Sequence, residues 1–546
     1  VPSSFYDAVI RISNRLEAAP PGSCLFLLSA GLSNEDILAA RWLARQVEAS
    51  VCPIDFSGAP AARRAVRTAL GRNYSSRSFQ TLEQARVIWV FGADLDNYPQ
   101  IASRLTEAES NGARIVSFDT MAGPLRRGRK TLQVSLDEFD LLPLLLQRSV
   151  LERGQVSPTA AAAPGFAELK ARHADRSWHP SISGAADETI SELVDPFLAS
   201  SDSAVVIGER WLTAGRHAVE RTLQLVQAVA LLGAEDRIFV AAGEANSAGL
   251  FDLLPDAEAD LTRMARLLDG DASGISVLFV CGDDLLRAAP YRAGLQKALA
   301  SVETIVEIDR FPGEVCRLAD VVLPSAAFGE LDGTVTNMLG TVQRWRRVVP
   351  PPGDARPERD WFGLIARRLG DDAWPRTPFE WWTTEPALDS PYRVDRLTPL
   401  YQGTDWVQWP FREEEEPLAL VPPRSSVCSP VSEDYPMQVI FTRHAANWMP
   451  GGWSSRDEIL RRESIEAFIN VSPQDLEEKG IKSGGRVKLL TPDGAAVFPA
   501  RGDSRVPRGL LVLAEVPGDN ELPKSVLAVS DSGVAFQPVA CRLEKV

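Results

Sequence analysis

Apolar residues along this chain follow two periods. From Ser4 to Leu16 they recur at helical spacing, at Phe5, Val9, Ile10, Ile12 and Leu16. Cys24 to Leu28 is an unbroken apolar run, as a strand buried on both faces requires. Ser33-Asn34-Glu35-Asp36 then opens a second helix, with Ser33 or Asn34 as N-cap and acids in the first turn. Its apolar positions are Ile37, Leu38, Trp42, Leu43 and Val47. Strand followed by capped helix is the α/β unit. The unit recurs as a strand at Ala85–Phe91, a loop from Gly92 to Pro99, a helix to Asn111 and a strand at Ile115–Phe118 ending on Asp119. A second set starts at Ala204–Gly208. It continues with a helix from about Thr213 to Leu232 and strands at Ile275–Val280 and Thr304–Ile308, the last ending on Asp309.

Both loops and terminal aspartates of these strands lie at carboxyl ends, where open α/β sheets bind ligands. A carboxylate there can accept from a ribose or a base amine, and equally serve as a turn residue. Val321-Val322-Leu323 is a further strand, stopped by Pro324. Gly329, Gly333 and Gly340 follow, spaced for close backbone approach, with Thr336 and Asn337 able to bond a polar ligand edge. Glu330 and Asp332 are expected to meet Arg344, Arg346 or Arg347. Gln155–Gly165 reads as a flexible surface connection and Pro350–Gly353 as a break. From Met437 onward short strands return at turn-marked intervals, with a hairpin signal at Asp493-Gly494. The divisions expected are 1–154 and 155–372 for two α/β domains, 373–432 for a connector rich in prolines and tryptophans, and 433–546 for a β domain. Exposed tryptophans in the connector, such as Trp381, Trp382, Trp406 and Trp409, would suit a partner contact.

Composition narrows the function classes. A net charge of -15 argues against a general nucleic-acid or anionic-membrane surface, although Arg126 to Lys130 form a local basic stretch. No apolar run approaches the ~20 residues that span a bilayer. A cytoplasmic setting is expected, at the inner face of a membrane through partners if at all. The six cysteines, Cys24, Cys52, Cys281, Cys316, Cys428 and Cys541, show no C-x-x-C cluster, so neither zinc nor iron–sulfur ligation is expected within this chain. Cys24 and Cys281 read as core residues. No Ser/His/Asp set, P-loop or metal-spaced histidine cluster offers another chemistry.

A-D-V-V-L-P from Ala319, E-x-D-G-T-x-T-N from Glu330 and G-x-V-Q from Gly340 together resemble the molybdopterin oxidoreductase superfamily. That family includes formate dehydrogenases, nitrate reductases and the large iron–sulfur subunit of respiratory complex I. Gly243-Glu244-Ala245-Asn246 resembles its E-A-N segment, and Asn470-Val-Ser-Pro with Gly480-Ile-Lys-Ser-Gly-Gly its closing barrel. The resemblance implies an α/β fold of two doubly wound, parallel-sheet (Rossmann-like) regions plus a C-terminal β-barrel. It implies cofactor-side positions at Gly92, Asp94, Asp119, Gly208, Glu209, Asn246, Gly282, Asp283, Asp309, Thr336, Asn337, Arg443, His444 and Asn447. Catalytic family members hold molybdenum or tungsten through a residue near Pro53–Leu70. The nearest candidates are Cys52, Asp55 and Ser57, in no copy of the catalytic motif, so no metal ligand and no catalytic residue is assigned. Cys281-Gly-Asp-Asp departs from the family's G-x-N-P and sets an extra acid where a pyrophosphate would lie.

The expectation is therefore a subunit of a multi-subunit redox complex, of NADH-quinone oxidoreductase type, with a degenerate metal site. Its partners would include iron–sulfur and flavin-bearing subunits, and iron–sulfur clusters would sit on those chains or on a preceding domain. The alternative is a catalytic molybdenum or tungsten enzyme of formate dehydrogenase type. It would bind two molybdopterin guanine dinucleotides at the loops of Gly92, Gly208, Gly282 and Asn337.

Overall fold

The computed structural model describes residues 3–75, 78–93, 95–122, 129–175, 187–200, 202–213, 217–254, 257–288, 292–408, 410, 417–423, 431–443, 456–463, 467–515, 527–530, 533–536 and 538–546. Strand β1 (Cys24–Ser29) pairs with β2 (Ser50–Ile54), and the chain then leaves to build a complete second sheet. That sheet comprises β3 (Val87–Phe91), β4 (Arg114–Asp119), β5 (Arg129–Gln133), β6 (Ser203–Gly208) and β7 (Ile238–Ala241), in the order β5-β4-β3-β6-β7. The chain returns with β8 (Val277–Cys281), β9 (Thr304–Asp309) and β10 (Val321–Pro324), completing the first sheet as β10-β9-β8-β1-β2. Every pairing in both sheets is parallel. The sequence suggests two α/β units in succession; the pairing is nested, and each sheet draws strands from both sides of residue 154. Strand order reverses between β8 and β1 in the first sheet and between β3 and β6 in the second.

A small antiparallel sheet follows, from β11 (Gly333–Thr336), β12 (Thr341–Trp345) and β13 (Trp406–Gln408). Strands β14 (Met437–Arg443), β15 (Phe468–Val471), β16 (Arg486–Thr491), β17 (Gly494–Gly502), β18 (Leu510–Glu515) and, after the hairpin β19 (Leu527–Ser530) and β20 (Gly533–Phe536), β21 (Val539–Lys545) build the rest. They close a barrel in the order β14-β18-β15-β17-β16-β21, so the expected α/β class with a terminal barrel is what the chain adopts.

Alternation along two barrel strands joins it to the body. Val439, Phe441, Leu511 and Leu513 belong to the cluster that also holds Ile54 and Phe56. Their neighbours Ile440, Leu510 and Val512 belong, with Val506, to the core of the second sheet. On the other face of the first sheet, Phe26 stacks on Phe279 at 4.2 Å between ring centroids. Trp361, Trp381 and Trp382 complete that core. Trp381 and Trp382 are thus buried, not a partner surface; Trp406 is the exposed one, and Trp409 lies outside the described residues.

Three local expectations change. The stretch 155–165 contains a helix, Pro158–Ala162, capped by Ser157 and with Ala160 buried. The helix expected from Thr213 is two, Glu209–Thr213 and Ala218–Leu231. Asp332 accepts from the backbone N–H of Arg347 at 3.3 Å and Glu330 from that of Ala327 at 2.8 Å, while Arg346 pairs with Asp405 and Arg344 bonds the Leu400 carbonyl. Backbone amides of the turn reach these acids before the longer side chains can. No helix among the described residues is long and apolar enough to cross a membrane.

Candidate functional site

The sequence-predicted positions gather at three places. At the carboxyl end of the second sheet, Gly92 and Gly208 face each other across the point where strand order reverses. Trp211 N–H donates to the Gly92 carbonyl at 3.3 Å, and a Cβ at Gly208 would stand 2.7 Å from Ala93 Cβ. Gly92 has φ +53°, a backbone other residues rarely adopt. Asp119 at the end of β4 pairs with Arg210 at 2.7 Å, both nearly buried, and Glu209 accepts from the Tyr98 hydroxyl at 2.7 Å. Asp94 lies outside the described residues.

At the carboxyl end of the first sheet, Ser29 Oγ donates to the Gly282 carbonyl at 3.0 Å. Asp284, fully buried, accepts from the backbone N–H groups of Leu286, Glu314 and Val315. Burial pushes the Asp283 carboxyl well up, and the charges of Glu244, Asp309 and Asp284 add to it. Burial likewise raises Asp309 to about 6, against the opposing charge of Arg310. Glu307, buried and facing the Cys316 thiol, is raised to about 8 by the same desolvation.

Between the sheets, β11 meets the start of the helix Asn34–Gln46. Ser33 is the N-cap, and the two acids behind it are fully buried. Glu35 accepts from Thr334 N–H at 2.7 Å, Thr334 Oγ1 at 2.9 Å and Tyr401 OH at 2.9 Å; Asp36 pairs with Arg359 at 3.0 Å. Asn246 Oδ1 accepts from Thr336 N–H at 2.7 Å, and Thr336 Oγ1 shares a proton with Tyr392 OH at 2.6 Å. Tyr392 and Tyr74 both reach Asp252, which pairs with Arg63. Asn246 and Thr336 are therefore bound into the protein's own scaffold. Arg63, Tyr74, Asp252 and Tyr392 were not singled out from the sequence, and Glu35 was read only as an acid of a helix's first turn.

A cavity of about 560 Å³ opens beside this network. Its wall includes Asp96 to Tyr98 of the loop after Gly92, Pro99 and Gln100 at the start of the helix that follows, Glu244, Ser247, Asn337 and Trp345, so the loop and Asn337 face one space. Ala59 and Ser247 also line it, and Ser247 Oγ donates to Asp55 at 2.6 Å. Ala59 directly follows the turn where a metal ligand was sought. There, Ser57 is fully buried, donates to Asp55 Oδ1 and accepts from Ala59 N–H at 3.2 Å. Gly58, at φ +78°, lies so close to the Glu209–Thr213 helix that a Cβ would stand 2.8 Å from Leu212 Cβ. Phe56 is buried in the cluster shared with the barrel, and Cys52 is buried in β2. None of these side chains is presented to the cavity as a ligand, and no group of three or more His, Cys, Asp or Glu among the described residues is arranged to hold a metal ion. Arg443 ends β14; His444, Asn447 and the basic residues 126–128 lie outside the described residues.

A family model described as Molybdopterin oxidoreductase matches residues 5–368, and one described as Molydopterin dinucleotide binding domain matches residues 440–535. The chain is 24% identical over 586 aligned positions to the F420-dependent formate dehydrogenase 2 subunit alpha of Methanococcus maripaludis, covering 94% of this chain and 84% of that protein. It is 27% identical over 364 residues to an NADH-quinone oxidoreductase subunit of Rhizobium meliloti, covering 61% and 42%. Acetylene hydratase from Pelobacter acetylenicus superposes with a TM-score of 0.77 at 15% identity, over 100% of this chain and 90% of that one, which shows a shared fold.

Proposed function

Because the chain belongs to the molybdopterin oxidoreductase family, we propose that it is a subunit of a multi-subunit redox complex, a molybdopterin-type housing whose metal position is closed. One observation carries this reading. The Asp55–Gly58 turn spends its polar groups on itself and on Ser247, and packs its backbone against Leu212. A serine hydroxyl ligates a metal only when the metal removes its proton. Ser57 would have to break its bond to Asp55 and leave a fully buried setting to do so. The residues at this turn do not fit a metal. A dinucleotide cofactor, when bound in such a fold, supplies the redox chemistry; here the chain's own groups would position it and pack against neighbours. Relatives bearing the names of a formate dehydrogenase alpha subunit and of an NADH-quinone oxidoreductase subunit support assembly with electron-carrying partners. On this reading those partners carry the iron–sulfur and flavin groups.

The cavity gives the catalytic alternative its one point of support, since Ala59 and Ser247 in its wall adjoin the same turn. Elemental analysis of the purified protein, together with fluorescence of acid-released, oxidised pterin, separates the two. The housing requires molybdenum and tungsten well below one per chain. An equimolar metal would defeat it.

A further inference from the structure

One face of the small antiparallel sheet forms a wall of the cavity. Register sets Val335, Gln343 and Trp406 side by side across β11, β12 and β13, with Trp345 two residues further along β12 on the same face. Val335, Gln343 and Trp345 line the cavity, whose volume of about 560 Å³ falls in the range of ~300–1,000 Å³ that holds small molecules. Trp345 is half-buried, and its ring lies 6.3 Å from that of Phe328. Phe328 and Trp406 are both more than half exposed. The sheet thus carries an aromatic ledge from the cavity wall out to solvent. A flat ring laid on this ledge would take both apolar surfaces out of water.

The wall is acidic. Among its described residues Arg63 is the basic one, and its guanidinium is committed: it pairs with the buried Asp252 and donates to the Ala248 carbonyl. Asp96, exposed, and Glu244, half-buried, bring carboxylates to the same space. A small carboxylate such as formate would meet these two acids and find the guanidinium of Arg63 already taken. A cation is attracted by the acids and by the electron-rich face of the Trp345 ring.

We infer that the cavity binds a planar organic cation, a protonated or quaternised nitrogen heterocycle, with its ring on Trp345 and its charge toward Asp96 and Glu244. Isothermal titration of the full chain with N-methylquinolinium tests this. One equivalent is expected to bind, with a Kd below about 1 mM. Trp345→Leu should weaken binding about two- to thirtyfold, the range of a cation–π contact. Asp96→Asn, which alters an exposed side chain, should weaken it about two- to fivefold and leave the binding of neutral quinoline unchanged. A quinoline carboxylate should not bind. No binding at millimolar N-methylquinolinium, or a carboxylate that binds as tightly as the cation, would overturn the inference. So would binding at many sites that Trp345→Leu leaves unchanged, which would mark general attraction to a chain of net charge -15. Metal content measured on the same sample keeps this apart from the housing reading. A metal-bearing protein that binds one cation defeats only the housing, and a metal-free protein that binds none defeats only the cation site.

Discussion

At the scale of single residues, the acids of the first sheet set a pH dependence whose sign follows from their burial. Glu307 keeps its proton in the folded state up to about pH 8, whereas an unfolded chain releases it near pH ~4.3. Across that window the unfolded state binds fewer protons, so stability declines as pH rises and levels off above the folded value. Asp309, raised to about 6, and Glu358, raised to about 7 by burial and the nearby Asp36, act in the same direction. Glu307→Gln removes one ionisation while keeping the shape. Urea unfolding should show the variant equal to wild type at pH 4 and more stable at pH 8, by up to a few kcal/mol on the order-of-magnitude scale of linkage. A wild-type stability that rises from pH 5 to pH 8, with no gain in the variant, would refute this account. Asp252 presents the opposite case: it is a buried charge that already has partners. Asp252→Ala leaves Arg63 buried without its carboxylate and two tyrosine hydroxyls without their acceptor. The expected cost is about 3–5 kcal/mol, read as a shift in the urea midpoint.

At the scale of elements, the contact between the loops after β3 and β6 fixes how the second sheet ends. Gly208 does not have a left-handed backbone, so alanine is barred there by space alone. Its Cβ would meet Ala93 Cβ at 2.7 Å and the Gly92 carbonyl oxygen at 2.6 Å, and both neighbours are held by main chain. Gly208→Ala should therefore cost about 1–3 kcal/mol or more. Gly112, with φ +90° and open space around it, should cost only about 1–2 kcal/mol of backbone strain on the same substitution. Equal losses by chemical denaturation would rule out the close approach as the cause. Glycine spacing was legible in the sequence, and so were the parallel strands, because strands buried on both faces must be unbroken apolar runs. A cap at Ser33 or Asn34 was legible from local chemistry alone, and the structure gives it to Ser33. The nested pairing was not: Leu25 and Val205 sit in runs of the same kind, and nothing local says that β1 must wait more than two hundred residues for β8. Nor could burial of Glu35 and Asp36 be read, since their partners Thr334, Tyr401 and Arg359 arrive from about three hundred residues away.

For the whole molecule, the barrel's attachment decides whether one unfolding event or two should be seen. Ile440, Val506, Leu510 and Val512 leave the barrel and join the core of the second sheet, beside Leu212 and Trp211 of the helix that closes its carboxyl end. Each such side chain contributes roughly 1.5–3 kcal/mol when fully buried, so four contribute about 6–12 kcal/mol. That is comparable to the total stability of a typical domain, about 5–15 kcal/mol. A barrel held this firmly cannot melt while the body stays intact, and calorimetry of the wild type should show a single transition. Val512→Asp places a carboxylate among apolar groups with no partner supplied, a change that costs several kcal/mol and falls on the joint to the second sheet, while the cluster shared with Ile54 and Phe56 keeps its residues. The variant should unfold in two steps, with the barrel first, and should become sensitive to proteolysis between the α/β body and the barrel. Two transitions in the wild type would mean that these four side chains do not couple the barrel to the α/β body, and one unchanged transition in Val512→Asp would mean that the cluster the barrel shares with Ile54 and Phe56 holds it instead.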